Sequence, residues 1–264
     1  MRILCACSSY WNTQAEADAR YNGVCLNLVD PLTGNVAYPI HPEYAGRLAI
    51  KPWYENMQRL FHPVHTFVAC GTYSNPAFSR LPPEVAIVNS GVFPERPHTN
   101  GWQYMACALT MTMAHALDWG DWDVLLAIEP DILLGNVDWD ALLREFLARP
   151  EEVFGATWYD IHCDMMGYKR RGAARFLHQR TRPNLTEDES VPWLDHEMAA
   201  MFKGRAWNPW PEMRTYRQDF FHPPSVHPSN EEAMRWPMVR MPDPSLIDEY
   251  LRTQSSLAKP VQLE

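Results

Sequence analysis

Two acidic residues, Glu129 and Asp131, stand on either side of Pro130 directly after a run of apolar residues. The apolar run, 124–128, is continuous rather than alternating, which is typical of a parallel strand buried on both faces. Residues at i and i+2 of an extended chain point to the same side, so the two carboxylates converge just beyond that strand. Proline suits this position because it cannot donate to a sheet ladder. Such a pair predicts a site for a hard divalent cation, which in turn holds phosphates.

A second acidic segment, 193–197, opens a stretch in which apolar residues recur at helical spacing. The predicted buried stripe of this helix consists of Leu194, Met198, Met201 and Phe202. Asp195 and Glu197 flank the stripe on opposite sides, so either carboxylate can line a cleft, and the periodicity does not choose between them. Acids near a helix N-terminus are favoured electrostatically in any case, so a purely structural role stays equally open.

Basic residues are concentrated in one short segment of a chain whose formal net charge is −9. They are Lys169, Arg170, Arg171, Arg175, Arg180 and Arg182. The common structural explanation for such a cluster is a solvated helix face. Arginine also pairs with phosphate in a bidentate manner. The segment is therefore a candidate clamp for a diphosphate or a patch for an anionic acceptor.

The elements that must position these residues alternate between strands and helices. The predicted strands are 2–7, 65–71, 85–89, 124–128, 152–158 and 165–168. The predicted helices are 53–61, a long one between Asn100 and Gly120, one capped by Asp138 and stopped by Pro150, 169–177 and 194–202. This alternation predicts a mostly parallel sheet covered by helices on both faces. We expect one continuous domain with a soft boundary near residue 160, between a regular half, 1–160, and a more irregular half, 161–264.

Composition excludes several classes of protein. The 46% hydrophobic content supports a real core, and no apolar run is long enough for a membrane span. The six cysteines form no C-x-x-C pair, and the N-terminal segment does not resemble a signal peptide, so a cytoplasmic protein is expected. The sequence has neither a G-x-G fingerprint nor a Gly-Lys pair, which excludes the common dinucleotide motif and the P-loop.

The segment 123–134 resembles the strand and acidic motif of the GT-A glycosyltransferases, which carry D-x-D at the end of an apolar strand. Asn100-Gly101, at the start of the preceding long helix, is similar to the family as well. The likeness runs over roughly residues 1–200 as an order of elements. Glu129 stands in place of the first aspartate, so Asp131 is the safer metal ligand. The resemblance implies an α/β, GT-A-like (Rossmann-like) fold.

The resemblance also implies roles for particular residues of a metal-dependent enzyme that uses a nucleotide-sugar donor, with UDP expected. The implied donor-binding residues are Ala6, Cys7, Ser8, Ser9, Tyr10, Asn89, Asn100, Glu129 and Asp131. Mn²⁺ or Mg²⁺ would be held by Asp131 and Glu129 with His227, which is preferred over His222. The implied catalytic carboxylate is Asp195 or Glu197. Contacts to the acceptor or to phosphate would come from Lys169, Arg170, Arg171 and Trp193.

Several alternatives stay open at this point. The acceptor is a saccharide or a hydroxymethylated base of phage-type DNA, which would have to be flipped out of the duplex. The reaction retains or inverts the sugar configuration. A sugar-nucleotidyltransferase shares the layout but normally needs a Gly-rich loop after the first strand, and the loop 8–12 has no glycine. The non-enzymatic alternative is a carbohydrate- or nucleic-acid-binding protein whose acidic motif is merely solvated.

Overall fold

The computed structural model describes residues 1–9, 27–29, 36–39, 50–70, 84–89, 101–129, 132–135, 137–155, 165–179, 194–210 and 238–240. The described strands are β1 (Ile3–Ser9), β2 (Asn27–Val29), β3 (Val36–Pro39), β4 (His65–Cys70), β5 (Ala86–Asn89), β6 (Val124–Ile128), β7 (Ile132–Leu134), β8 (Val153–Gly155), β9 (Met165–Tyr168), β10 (Ala206–Trp207) and β11 (Met238–Arg240). The described helices are α1 (Ile50–Phe61), α2 (Gly101–Trp119), α3 (Trp139–Ala148), α4 (Arg170–Gln179) and α5 (Leu194–Met201). No helix in these ranges is long and apolar enough to cross a membrane.

Seven strands form the main sheet, in the order β10-β8-β9-β6-β1-β4-β5. The pairs β6–β1, β1–β4, β4–β5 and β10–β8 are parallel, whereas β9 runs antiparallel to both of its neighbours. We call the edge where β1, β4, β5 and β6 end the carboxyl edge, and the opposite edge, where they begin, the amino edge. The predicted α/β class, with a mostly parallel sheet flanked by helices, is confirmed.

Both faces of the sheet are buried, as the continuous apolar strands predict. Along β1, Ile3, Cys5 and Cys7 belong to one core cluster, and the intervening Leu4 and Ala6 belong to the other. The first cluster contains residues of α1 and α3, namely Trp53, Met57, Phe61, Trp139, Leu143 and Phe146. The second contains residues of α2, α4 and α5, namely Leu109, Met113, Ala116, Phe176 and Met198, together with Phe202 directly after α5. The sheet is therefore the middle layer of three.

Local signals in the sequence fix most element ends. Asp138 caps α3 by accepting a hydrogen bond from the Ala141 amide at 3.0 Å. Gly120 follows α2 with φ +112°, a conformation that a side chain would strain. The predicted strand 152–158 is described only as Val153–Gly155, and the unassigned region 20–50 contains the antiparallel pair β2–β3. The antiparallel direction of β9 brings a strand of the predicted second half into the middle of the sheet.

Candidate functional site

The carboxyl edge gathers polar residues from four neighbouring parallel strands. Ser9 pairs with Cys70, and Cys70 pairs with Asn89, so three strands end level with one another. Ala6 pairs with Ala127, and continuing this register by two residues sets Ser8 level with Glu129. In open α/β sheets, ligands bind beyond this edge of the strands. Four of the predicted donor-binding residues are therefore brought to one edge.

Ala6 and Cys7 differ from the serines that follow them. Both are completely buried, and they lie in the two opposite core clusters. Their side chains pack the sheet, so any contact they make with a donor would be through the backbone. Tyr10 and Asn100, which the sequence placed in the same pocket, lie outside the described residues.

Glu129 occupies the position directly after β6 and is only 8% exposed. Its carbonyl accepts a hydrogen bond from the amide of Ile132 at 3.1 Å. Pro130 and Asp131 lie outside the described residues. Glu129 places a carboxylate within the protein at this strand end. Hard oxygen donors of this kind fit Mg²⁺ or Mn²⁺.

Within the part of the chain that the structure describes, no group of three or more His, Cys, Asp or Glu residues is arranged to hold a metal ion. Asp131 and His227, which the sequence nominates as ligands beside Glu129, lie outside that part, as does His222. The metal set therefore remains a prediction for these residues.

Helix α5 carries the two candidate catalytic carboxylates. Met198 and Phe202 are completely buried against the second core cluster, and Glu197 is half-buried. The chain passes from α5 into β10, whose Ala206 pairs with Val153 at the amino edge. The C-terminal end of α5 therefore leads to the amino edge. The side chains of Trp193 and Asp195 are not among those described.

The basic cluster lies at the other edge of the sheet. Tyr168, the last residue of β9, pairs with Leu125 of β6 and Val153 of β8, so Lys169 emerges at the amino edge. Glu129 lies beyond the opposite end of β6. The structure therefore does not bring Lys169, Arg170 and Arg171 together with the acidic motif, and their interpretation as a diphosphate clamp at that motif is not supported. The sequence could not show this separation. A clamp at the acidic motif would require β9 to run parallel to β6, and the residues of β9 do not reveal its direction.

The cations at the amino edge have partners within the protein. Lys169 Nζ donates to the carbonyl of Leu147 at 3.2 Å and to that of Arg149, both at the end of α3. Arg171 donates to the carbonyls of Pro150 and Glu151, the latter at 3.2 Å. These carbonyls lie at and just beyond the end of α3, where no helical amide is available to them and where positive charge is favoured. The segment therefore serves as a cap for α3.

The remaining basic residues complete this local network. Arg170 lies over the Trp122 ring at 5.3 Å, beside a shallow groove of about 590 Å³. Arg175 donates to Glu152 in a bidentate manner at 2.6 and 3.0 Å, and Arg205 donates to the same carboxylate at 2.9 Å. The hydrogen bond from Arg175, more than the other contacts, lowers the pKa of Glu152. Arg180 and Arg182 lie outside the described residues.

Asn56 is a residue that the sequence reasoning missed. It is 1% exposed on α1 and forms two hydrogen bonds with the backbone of Leu134. A signal for it exists in the sequence, because Asn56 interrupts the apolar stripe of α1 between Trp53 and Met57. A buried polar residue on an apolar face usually has a specific partner.

No family model matches the sequence, and a search of curated proteins finds no match. Among solved structures, the chain is similar to the glycosyltransferase GlyE of Streptococcus pneumoniae, with 9% identity, a TM-score of 0.49, and coverage of 96% of this chain and 60% of that one. It is also similar to a glycosyltransferase involved in glycosylation of the major capsid of PBCV-1, with 9% identity, a TM-score of 0.47, and coverage of 96% and 100%.

A third similar structure is a Desulfovibrio desulfuricans protein described as a nucleotide-diphospho-sugar transferase, with 12% identity, a TM-score of 0.44, and coverage of 95% and 99%. Nucleotidyltransferases also occur among the similar structures. At these scores and identities the likeness does not assign an activity to this chain. Two of the three structures compared in detail are thus described as glycosyltransferases and one as a nucleotide-diphospho-sugar transferase.

Proposed function

We propose that this protein is a glycosyltransferase that moves a sugar from a nucleotide-sugar donor, with UDP as the expected nucleotide, to an acceptor hydroxyl. The observation that carries the proposal is the position of Glu129. It is a buried carboxylate directly beyond β6, level with Ser8 at the end of the neighbouring parallel strand. An acidic strand end beside strands that end in polar residues suits a cation-held diphosphate.

In this proposal the nucleotide lies along the carboxyl edge. Ser8 and Ser9 end β1 there and Asn89 ends β5, and we assign Tyr10 and Asn100 to the same pocket. Glu129 and Asp131, with His227 from the C-terminal region, would hold Mn²⁺ or Mg²⁺. The bound cation supplies charge neutralisation for the departing nucleotide diphosphate.

We assign the reacting sugar to the face of the sheet on which α5 packs. The bond that breaks joins the anomeric carbon to the diphosphate oxygen, and the bond that forms joins that carbon to the acceptor oxygen. For an inverting reaction, Asp195 or Glu197 takes the proton of the acceptor hydroxyl. For a retaining reaction, the same carboxylate stabilises positive charge on the sugar. Trp193 is proposed as an acceptor contact because it precedes α5.

The acceptor class follows from the location of the positive charge. Lys169, Arg170 and Arg171 lie at the amino edge and donate to backbone carbonyls. They are therefore remote from the proposed reaction centre, and a saccharide acceptor is the simpler proposal. Hydroxymethylated bases of DNA are the competing acceptor, and those three residues would then form a separate contact with the DNA backbone.

The experiment is a donor screen. The protein is incubated with UDP-glucose, UDP-galactose and UDP-N-acetylglucosamine in the presence of Mn²⁺ or of EDTA, and released UDP is measured. Slow cation-dependent release of UDP is expected, because transferases without an acceptor commonly pass the sugar to water. Pyrophosphate-dependent exchange of nucleotide would instead indicate a sugar-nucleotidyltransferase. Binding of a saccharide or nucleic acid without turnover of any donor would indicate a non-catalytic binding protein.

A further inference from the structure

Asn56 holds the segment that follows the acidic motif by two hydrogen bonds to one backbone position. Its Nδ2 donates to the carbonyl of Leu134 at 3.0 Å, and its Oδ1 accepts from the amide of Leu134 at 2.8 Å. This pairing imitates that of a neighbouring strand. Among side chains, only a carboxamide offers a donor and an acceptor at this spacing. Asn56 thus makes contacts that most other residues could not reproduce.

The helix that carries Asn56 is packed into the core. Asn56 lies on α1 between Trp53 and Met57, which are completely buried and belong to the same core cluster as Leu134. An asparagine in a helix interior is unfavourable by propensity, and its burial adds the cost of desolvating the amide. The two bonds to Leu134 offset that cost. The presence of asparagine at position 56 is therefore explained by its contact with β7 rather than by helix propensity in α1.

The segment beyond Glu129 is held at several points besides Asn56. The Glu129 carbonyl accepts from Ile132, β7 pairs with β11, and the indole of Trp139 donates to the carbonyl of Gly135 at 2.9 Å. Ile132 and Leu134 are also buried in the core. Ile132, Leu134 and Gly135, which follow the acidic motif, are thus held by hydrogen bonds, and Asn56 provides a side-chain link from this segment to α1.

We propose that Asn56 is a positioning residue for Glu129 of the acidic motif: by fixing Leu134, it constrains the segment whose Ile132 amide bonds to the Glu129 carbonyl. This inference rests on the proposed function, because it assigns the motif to a cation-held diphosphate. Residues that orient metal ligands from behind commonly change metal affinity by about 10–100-fold when they are replaced. This positioning role of Asn56 is distinct from a contribution to stability, because it acts on the geometry of the cation ligands.

The test compares Asn56→Leu, which removes both hydrogen bonds at similar volume, with Thr112→Val. Thr112 is completely buried and donates to the carbonyl of Ala108 at 2.9 Å on α2, so its replacement removes a buried hydrogen bond away from the motif. Asn56→Gln, which keeps the carboxamide on a longer side chain, serves as a milder variant if Asn56→Leu does not fold. Calorimetric titration with UDP is carried out in Mn²⁺ and in EDTA, and the melting temperature is recorded.

We expect both Asn56→Leu and Thr112→Val to lower the melting temperature. Only the Asn56 variants should weaken the Mn²⁺-dependent part of UDP binding, by about 10–100-fold for Asn56→Leu and by less for Asn56→Gln. If wild-type protein binds UDP in an Mn²⁺-dependent manner and folded Asn56 variants bind it equally well, the positioning role is overturned while the proposed function stands. If wild-type protein shows no Mn²⁺-dependent binding of UDP, the proposed function fails, and this role fails with it.

Discussion

At the amino edge of the sheet the charged side chains bind one another and backbone carbonyls, whereas at the carboxyl edge the parallel strands end in a buried carboxylate and a row of small polar residues. Glu152 of the amino edge accepts hydrogen bonds from Arg175 and Arg205. Glu129 of the carboxyl edge lies beyond β6, level with Ser8. Both glutamates are buried, so burial alone does not distinguish a residue that maintains the fold from one that serves a ligand.

The difference lies in what surrounds each charge. At the amino edge, charges compensate one another within the fold, as Arg2 does in its bidentate contact with Asp121. At the carboxyl edge, the strand ends converge on a place where ligands bind in folds of this class. The comparison predicts that substitutions at the amino edge change stability and leave ligand binding intact, and that substitutions at the carboxyl edge do the reverse.

The largest effect is expected for the catalytic carboxylate. Asp195→Ala should lower kcat by about 10²–10⁴-fold, because loss of a positioned base has that effect, while donor affinity changes little. Steady-state kinetics with UDP-sugar and Mn²⁺ measures both quantities. Glu197→Ala is the matched control on the same helix. If Glu197→Ala loses turnover and Asp195→Ala keeps it, the role belongs to Glu197, and if neither variant matters, α5 is structural.

A loss of stability without a loss of binding is expected at Glu152. Glu152→Gln removes a charged acceptor from two arginines, and hydrogen bonds to charged groups contribute about 1.5–3 kcal/mol each at most. We expect the free energy of unfolding to fall by about 1–3 kcal/mol, measured by urea denaturation. The affinity for UDP with Mn²⁺ should equal that of the wild type. A loss of UDP affinity in the folded Glu152→Gln variant would contradict the separate roles of the two edges.

The amino edge should also make stability depend on pH. His65 and His115 are joined by a hydrogen bond between their Nε2 atoms at 3.1 Å, and His65 stacks on Trp119. Burial, with the charge of His115 as a second cause, lowers the pKa of His65 to about 4 from its usual value of about 6.5. The pKa of His115 is lowered as well, mainly by burial.

Because the folded pKa of His65 lies below the unfolded one, the unfolded chain binds more protons between these values. Stability is then fully present above about pH 6.5 and falls as the pH drops toward 4. His65→Phe, which preserves the stacking surface, should flatten this dependence when unfolding is measured at pH 7, 5.5 and 4.5. A variant that loses stability as steeply as the wild type over that range would place the titrating group elsewhere.

The smallest effect is expected for Arg170, an exposed cation over Trp122. Arg170→Ala should change the free energy of unfolding by less than about 1 kcal/mol and leave UDP affinity unchanged, because exposed charges contribute little. The same variant tests the DNA alternative when duplex binding is measured by anisotropy at two salt concentrations. Binding by the wild type that weakens steeply with salt, and that Arg170→Ala reduces, would restore the amino edge as an acceptor contact.

Local sequence signals predicted the elements well and their long-range relations less well. The apolar run of β6, the Asp138 cap and the spacing of α2 were sufficient to place those elements, because periodicity and capping act within a few residues. The direction of β9 depends on pairing with distant strands, and no local feature of Met165–Tyr168 reveals it. The basic cluster was therefore predicted correctly as leading into a helix, but the edge of the sheet on which it lies could not be predicted.

In the candidate site, too, the features that depend on local sequence could be predicted and those that depend on distant contacts could not. Glu129 and the ends of β1 and β5 could be placed at one edge from strand order alone, since parallel strands end together. Asn56 could not be linked to Leu134, because its partner is a backbone group distant in sequence. The ligands Asp131 and His227 remain predictions from the resemblance.

The most direct test of the central claim is the Mn²⁺-dependent affinity for UDP in Asp131→Asn and Glu129→Gln, compared with Asp123→Asn. Asp123 is the control from the amino edge, where it accepts a hydrogen bond from the Arg2 amide at 2.6 Å. Calorimetric titration in Mn²⁺ and in EDTA should show the Mn²⁺-dependent binding abolished in Asp131→Asn, weakened in Glu129→Gln and retained in Asp123→Asn, with all three variants folded. Unchanged Mn²⁺-dependent binding in Asp131→Asn and Glu129→Gln would contradict the assignment of the donor site to the carboxyl edge.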